Sequence, residues 1–110
     1  MSTFDVTRQT DSNGHEIIVV SGELDLATAH RVSVVASAWN ESDDATPVRF
    51  DLAGVTFLDS TGLGTILEVR NAALAAGRRV EIVATSPAVD RVLSLTGLSD
   101  LFDPASGETA

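Results

Sequence analysis

No cysteine and no lysine occur among the 110 residues, and there is a single tryptophan. The first absence excludes disulfides, thiolate metal sites and a cysteine nucleophile, and removes any need for an oxidising compartment. The second leaves seven basic residues, all arginine, against sixteen acidic ones, a formal net charge of -9. Nucleic-acid backbones are gripped by Lys and Arg, so an acidic chain of this kind points to a protein partner, and a basic one. Long apolar runs are also missing: none approaches the roughly 18 residues of a membrane span, and no initial basic segment is followed by an apolar one. A soluble, cytoplasmic protein is expected. Three signatures of chemistry are absent as well: the G-x-x-x-x-G-K-S/T phosphate loop, the H-E-x-x-H zinc helix and the G-x-S-x-G nucleophile elbow. Gly62-Leu63-Gly64 is an isolated G-x-G and falls short of a dinucleotide fingerprint.

What is present, 44% hydrophobic residues, suffices for one domain with one core and no covalent staples. Phe4 and Val6 alternate with Asp5 and Thr7 as in a strand, and Asp11-Ser12-Asn13-Gly14 supplies an Asn-Gly hairpin turn. Ile17-Ile18-Val19-Val20 is apolar throughout, which predicts an interior strand covered on both faces. Ala29, Val32, Val35, Ala36 and Trp39 then recur on one face of a helix started by Asp25 or Thr28, with Trp39 as a core anchor. Residues 40–46 are polar and acidic, a loop, and Pro47 leads into a third strand over 48–52. A second helix is predicted over 60–76, closed by Gly77 in a left-handed cap. Val80-Glu81-Ile82-Val83-Ala84 is a fourth strand; Ser86 caps and Pro87 begins a third helix carrying Val89, Val92 and Leu93, which Gly97 stops. Leu101 and Phe102 either close on the core or add an edge strand. Residues 1–102 form the domain, and 103–110 read as a flexible tail. His15 and His30 read as surface residues without a second ligand at metal spacing.

The order β-β-α-β-α-β-α predicts an α/β fold: a single mixed sheet, an N-terminal antiparallel hairpin followed by parallel strands, with helices packed on it. Phe57-Leu58-Asp59-Ser60-Thr61-Gly62-Leu63-Gly64 lies at the centre of this order, as a turn from strand to helix. Leu63, Ile66, Leu67, Arg70, Ala73 and Leu74 follow at helical spacing, which puts Ser60 at a helix N-terminus. The first N–H groups of a helix lack internal partners and carry the positive end of its dipole, so a phosphate would be well received there. Asp59 and Ser60 are equally ordinary capping residues, a role worth about 0.5–2 kcal/mol. Aspartyl-phosphate receivers have a similar layout but pair their acidic cluster with a lysine, so Asp51 and Asp59 are not read as phosphate acceptors.

These residues resemble the STAS domain, the fold of bacterial anti-sigma factor antagonists. Three patches carry the resemblance, which extends from about Phe4 to Phe102: Gly22-Glu23-Leu24-Asp25, the central turn from Phe57 to Gly64, and Ser86-Pro87-Ala88-Val89 with Thr96-Gly97-Leu98. The resemblance implies that Ser60 is phosphorylated by a partner that is both anti-sigma factor and serine kinase. It further implies that the unphosphorylated chain captures this partner and frees a sigma factor, that the phosphorylated chain releases it, and that a phosphoserine phosphatase resets the switch. Asp25, Thr28, Asp59, Thr61, Gly62 and Leu63 are then the partner-facing positions, with Thr61 where the family often has a second serine. The chain would be a kinase substrate and not an enzyme. No cofactor, metal, nucleic acid or membrane is expected, and a monomer suffices.

Three rival classes remain at this level. STAS domains also serve as adaptor subunits of transporters and stress-signalling assemblies, where the hydroxyl after Asp59 has no task. A nucleotide-binding domain, or an enzyme working with Asp51 and Asp59 as paired carboxylates, lacks both a lysine for phosphate and a visible arrangement of acid, base and pocket.

Overall fold

A computed structural model describes residues 3–10, 12, 15–40, 47–101 and 103–104. Strands β1 (Asp5–Thr10) and β2 (Glu16–Leu24) pair antiparallel, and β3 (Val48–Leu58), β4 (Val80–Ala84) and β5 (Asp103–Pro104) follow in parallel. The five-stranded sheet has the order β1-β2-β3-β4-β5, a mixed sheet as expected. Helices α1 (Ala29–Asn40), α2 (Ser60–Ala75) and α3 (Pro87–Thr96) fill the parallel crossovers. The edge strand lies just past Phe102, with Asp103 and Pro104 opposite Glu81 and Ile82. Asn13-Gly14, residues 41–46, Phe102 and the side chains of Trp39 and Leu101 lie outside the described residues.

Every crossover steps the same way across the sheet, and right-handed connections that step one way bring their helices to one face. The core agrees: Ile18, Val20, Phe50 and Leu52, each at most 1% exposed, share one cluster with Val32 of α1, Ile66 and Val69 of α2 and Val89 of α3. This corrects the expectation that β2 is covered on both sides. Ile17 and Val19 are only half-buried, and their register neighbours on β3 are Arg49 and Asp51. On this open face Glu81 accepts from Arg49 Nε at 2.9 Å and from Arg79 Nη2 at 3.0 Å.

The third strand also runs further than 48–52, to Leu58. The strand continues through Ala53-Gly54, where Gly54 permits a close approach: a Cβ there would lie 2.9 Å from Ser21 Cβ, where the β2–β3 register shifts. The extension carries β2 and β3 side by side to Leu24 and Leu58, which are register partners. The central turn therefore emerges from the carboxyl end of an interior strand, beside the end of its neighbour. Helix α2 closes at the other end as expected, with Gly77 at φ 79, its N–H on Leu74 O at 3.0 Å and Arg78 N–H on Ala73 O at 2.8 Å.

Candidate functional site at the start of α2

Asp59 is the N-cap of α2. Its backbone is extended (φ -105, ψ -176), and its carboxylate Oδ1 accepts from Gly62 N–H at 2.8 Å. The second oxygen reaches across the sheet end, where Oδ2 accepts from Leu26 N–H at 3.3 Å. Asp59 N–H in turn donates to Leu24 O at 3.3 Å. One half-buried side chain thus satisfies the helix start and ties it to the β2–α1 turn.

That turn has its own closure. Asp25 Oδ1 accepts from Ala27 N–H at 3.0 Å, while Thr28 Oγ1 accepts from Asp25 N–H at 3.0 Å and donates to Glu23 O at 2.7 Å. Asp25 O accepts from Ala29 N–H at 2.8 Å, so α1 begins one residue after Thr28. Both candidates for the helix start take part, Asp25 through its carboxylate and carbonyl and Thr28 through its hydroxyl.

Ser60 and Thr61 are exposed at the first turn of α2, whereas Gly62 is buried and Leu63 is 8% exposed in the core cluster. The structure thus brings Asp25, Thr28, Asp59, Ser60 and Thr61 to one end of the sheet and sets Gly62 and Leu63 beneath them. Gly62 is there for proximity: a Cβ would sit 2.4 Å from Leu24 O and 2.9 Å from both Leu24 Cγ and Leu58 Cδ1. Only a glycine lets the first turn of α2 press this close to β2.

Asp51 lies elsewhere. Its Oδ1 accepts from Ala53 N–H at 3.0 Å, and it is on the open face of β3, eight residues before Asp59. Eight strand residues span on the order of 25 Å, far beyond the separation at which two carboxylates share a bond-cleaving step. Ser86-Pro87-Ala88-Val89 and Thr96-Gly97-Leu98 are helix ends: Ser86 Oγ accepts from Val89 N–H at 3.2 Å, and Gly97 adopts φ 72. His30 is exposed on α1. Among the described residues no group of three or more His, Cys, Asp and Glu is placed to hold a metal, and no helix is long and apolar enough to cross a membrane.

Two residues that periodicity passed over stand beside the site. Leu26 is 77% exposed and Phe57 is 49% exposed. Leu26 falls off the Ala29, Val32, Ala36 stripe of α1, and that mismatch was the available signal.

A family model described as the STAS domain matches residues 7–109. An anti-sigma-B factor antagonist of Listeria monocytogenes is 30% identical over 96 residues, covering 87% of this chain and 81% of the relative. Among solved structures, an anti-sigma factor antagonist from Mycobacterium paratuberculosis superposes with TM-score 0.77 at 27% identity, covering 93% of this chain and 85% of that one. SpoIIAA, a Bacillus cell fate determinant in its phosphorylated form, shares the fold at TM-score 0.68 and 20% identity, covering 94% of this chain and 93% of that one. By the family model that spans most of its length, the 30% identical relative and the shared fold, the chain belongs to the STAS domain family, among the anti-sigma factor antagonists.

Proposed function

We propose that this protein is an anti-sigma factor antagonist that works as a partner switch: unphosphorylated, it binds an anti-sigma factor with serine kinase activity and so frees a sigma factor. Phosphorylation of Ser60 ends the binding, and a phosphoserine phosphatase restores it. The observation that carries this reading is the exposed Ser60 hydroxyl at the first position of α2, directly after the Asp59 cap. The kinase supplies ATP and Mg²⁺; the γ-phosphoryl group passes to Ser60 Oγ, whose proton leaves to a base on the kinase. Both Asp59 oxygens are engaged by backbone N–H groups, so its work in this chain is to hold the acceptor turn.

Phosphorylation adds about -1.5 to -2 charge at pH 7. Because Asp59 already occupies Gly62 N–H, the new anion shares the helix end with a carboxylate instead of receiving the whole of it. Repulsion from Asp59 and Asp25, together with the cost of desolvating a dianion in an interface, favours release of the partner. The backbone need not move. In the anti-sigma-B factor antagonists this chain is similar to, the name itself states the target; here the sigma factor and kinase are to be found by experiment.

The test is a paired pull-down from native lysate with Ser60→Ala and Ser60→Asp proteins as baits, accompanied by phosphorylation of the wild type. An ATPase-fold kinase retained by the first bait and lost from the second, with Ser60→Ala refractory to phosphate, is the expected outcome. Retention of the same transporter or scaffold proteins by both baits would establish the adaptor role instead. Since Asp59 and not Ser60 is the cap, Ser60→Ala should lose at most about 1 kcal/mol of stability.

A further inference from the structure

Exposed apolar side chains are ordinary when scattered singly. Of the large ones here, Leu74 and Leu95 sit in the last turns of α2 and α3, at the far end of the sheet from Ser60, and Val34 is in the middle of α1. Leu26 and Phe57 differ in two respects.

The first is position. Phe57 is three residues before Ser60 and pairs in register with Glu23, while Leu26 N–H is held by the carboxylate of Asp59, the residue before Ser60. Leu26 is thereby tied to the residue that precedes the proposed phosphorylation site. The second is rigidity. Leu26 is 77% exposed, yet its backbone is held between Asp59 and the closed turn of Asp25 and Thr28. An apolar side chain presented on a fixed backbone loses little entropy when it is bound, which is the property of an interface anchor. Asp59 Oδ2 on Leu26 N–H and Asp25 Oδ1 on Ala27 N–H put two carboxylates on the backbone of this turn, on a chain of net charge -9. An apolar centre within a charged rim is the anatomy of a protein interface.

We infer that Leu26 is the apolar anchor by which the anti-sigma factor is held, seated in an apolar recess whose rim carries arginine or lysine. This rests on the switch proposed above and explains how charge can release a partner of opposite sign. The rim pairs stay in water and contribute little. Ser60 follows the Asp59 that holds Leu26 N–H, so a partner seated on Leu26 would have to dehydrate a phosphate on Ser60 without a matched cation. Attraction at the rim steers the encounter; the anchor decides whether it lasts.

The experiment titrates the kinase retained by the Ser60→Ala bait, purified, against Ser60→Ala and against the same protein carrying Leu26→Ala or Leu95→Ala. Leu26→Ala is expected to weaken binding about tenfold or more, as truncation of a central anchor does, and to leave the melting temperature in place because the side chain is outside the core. Leu95→Ala, equally exposed at 80% but remote, should bind within about twofold of the parent. Raising salt should slow association of both alike, since the acidic rim is untouched. Binding of Leu26→Ala within twofold of the parent, or an equal loss in Leu95→Ala, overturns the anchor and leaves the switch standing. If Ser60→Ala retains no kinase, the switch fails and the anchor with it.

Discussion

Replacing Gly62 and Gly64 by alanine, one at a time, asks the same chemical question two residues apart and should return opposite signs. A methyl on Gly62 would start 2.4 Å from the backbone carbonyl of Leu24 and 2.9 Å from the side chains of Leu24 and Leu58. Leu24 is fully buried and Leu58 is 6% exposed, so neither can swing away, and a carbonyl in a strand cannot yield without moving β2. Overpacking of this kind costs about 1–3 kcal/mol, set against a gain of about 0.4–1 kcal/mol from removing glycine's freedom in the unfolded chain. The clash wins. At about 4–8 °C per kcal/mol for a domain near this size, the net effect is a fall in Tm of several degrees. A methyl on Gly64 meets no atom within 4 Å, so only the gain survives and Tm should rise by a few degrees. Thermal unfolding followed by circular dichroism reads both. Gly62→Ala melting at or above the parent would refute the claim that α2 is pressed against β2 by the absence of a side chain at position 62. The two variants also separate stability from function, because displacing the first turn of α2 carries Ser60 with it, and Gly62→Ala should be phosphorylated more slowly than Gly64→Ala.

Asp59→Ala removes the acceptors of both Gly62 N–H and Leu26 N–H. It should cost about 1–2 kcal/mol in urea unfolding, and hydrogen exchange at the Leu26 amide should quicken; protection unchanged at Leu26 would show that the turn is held by Asp25 and Thr28 alone. Ser86→Ala deletes the cap of α3 at a position 5% exposed, where Oγ accepts from Val89 N–H at 3.2 Å. About 1 kcal/mol should be lost, with Ser86→Thr recovering most of it. Phosphorylation of Ser60 should be unaffected by Ser86→Ala, since Ser86 is a structural cap of α3; a large fall in the phosphorylation rate would count against that reading.

Much of the site is legible in the sequence because it is built from local chemistry. Asp59 before an apolar-periodic run announces a cap, and Gly77 and Gly97 announce left-handed helix ends; both rules concern a few neighbouring residues and hold here at φ 79 and φ 72. The miss at the end of β3 has an equally local cause. Gly54 looks the same in sequence whether it breaks a strand or admits a neighbour, and only the approach of Ser21 distinguishes the two. Ile17 and Val19 misled for a different reason. Four apolar residues in a row predict burial on both faces, but a face is buried only if an element crosses over it, and the topology sends all three helices to the other side.

The sequence by itself determined the order of elements, the caps that bound the helices, the acidic charge and the serine after an aspartate at a helix start, since each follows from propensity, periodicity or charge along the chain. Only the tertiary structure decided what that aspartate holds. Leu26 and Asp59 are thirty-three residues apart, and their hydrogen bond exists because β2 and β3 run in parallel to the same end and deliver two turns side by side. It is the same pairing that leaves Gly62 no room for a side chain and Leu26 no partner in the core. Distances between chain-remote residues are set by strand register and crossover direction, and neither is written at any single position.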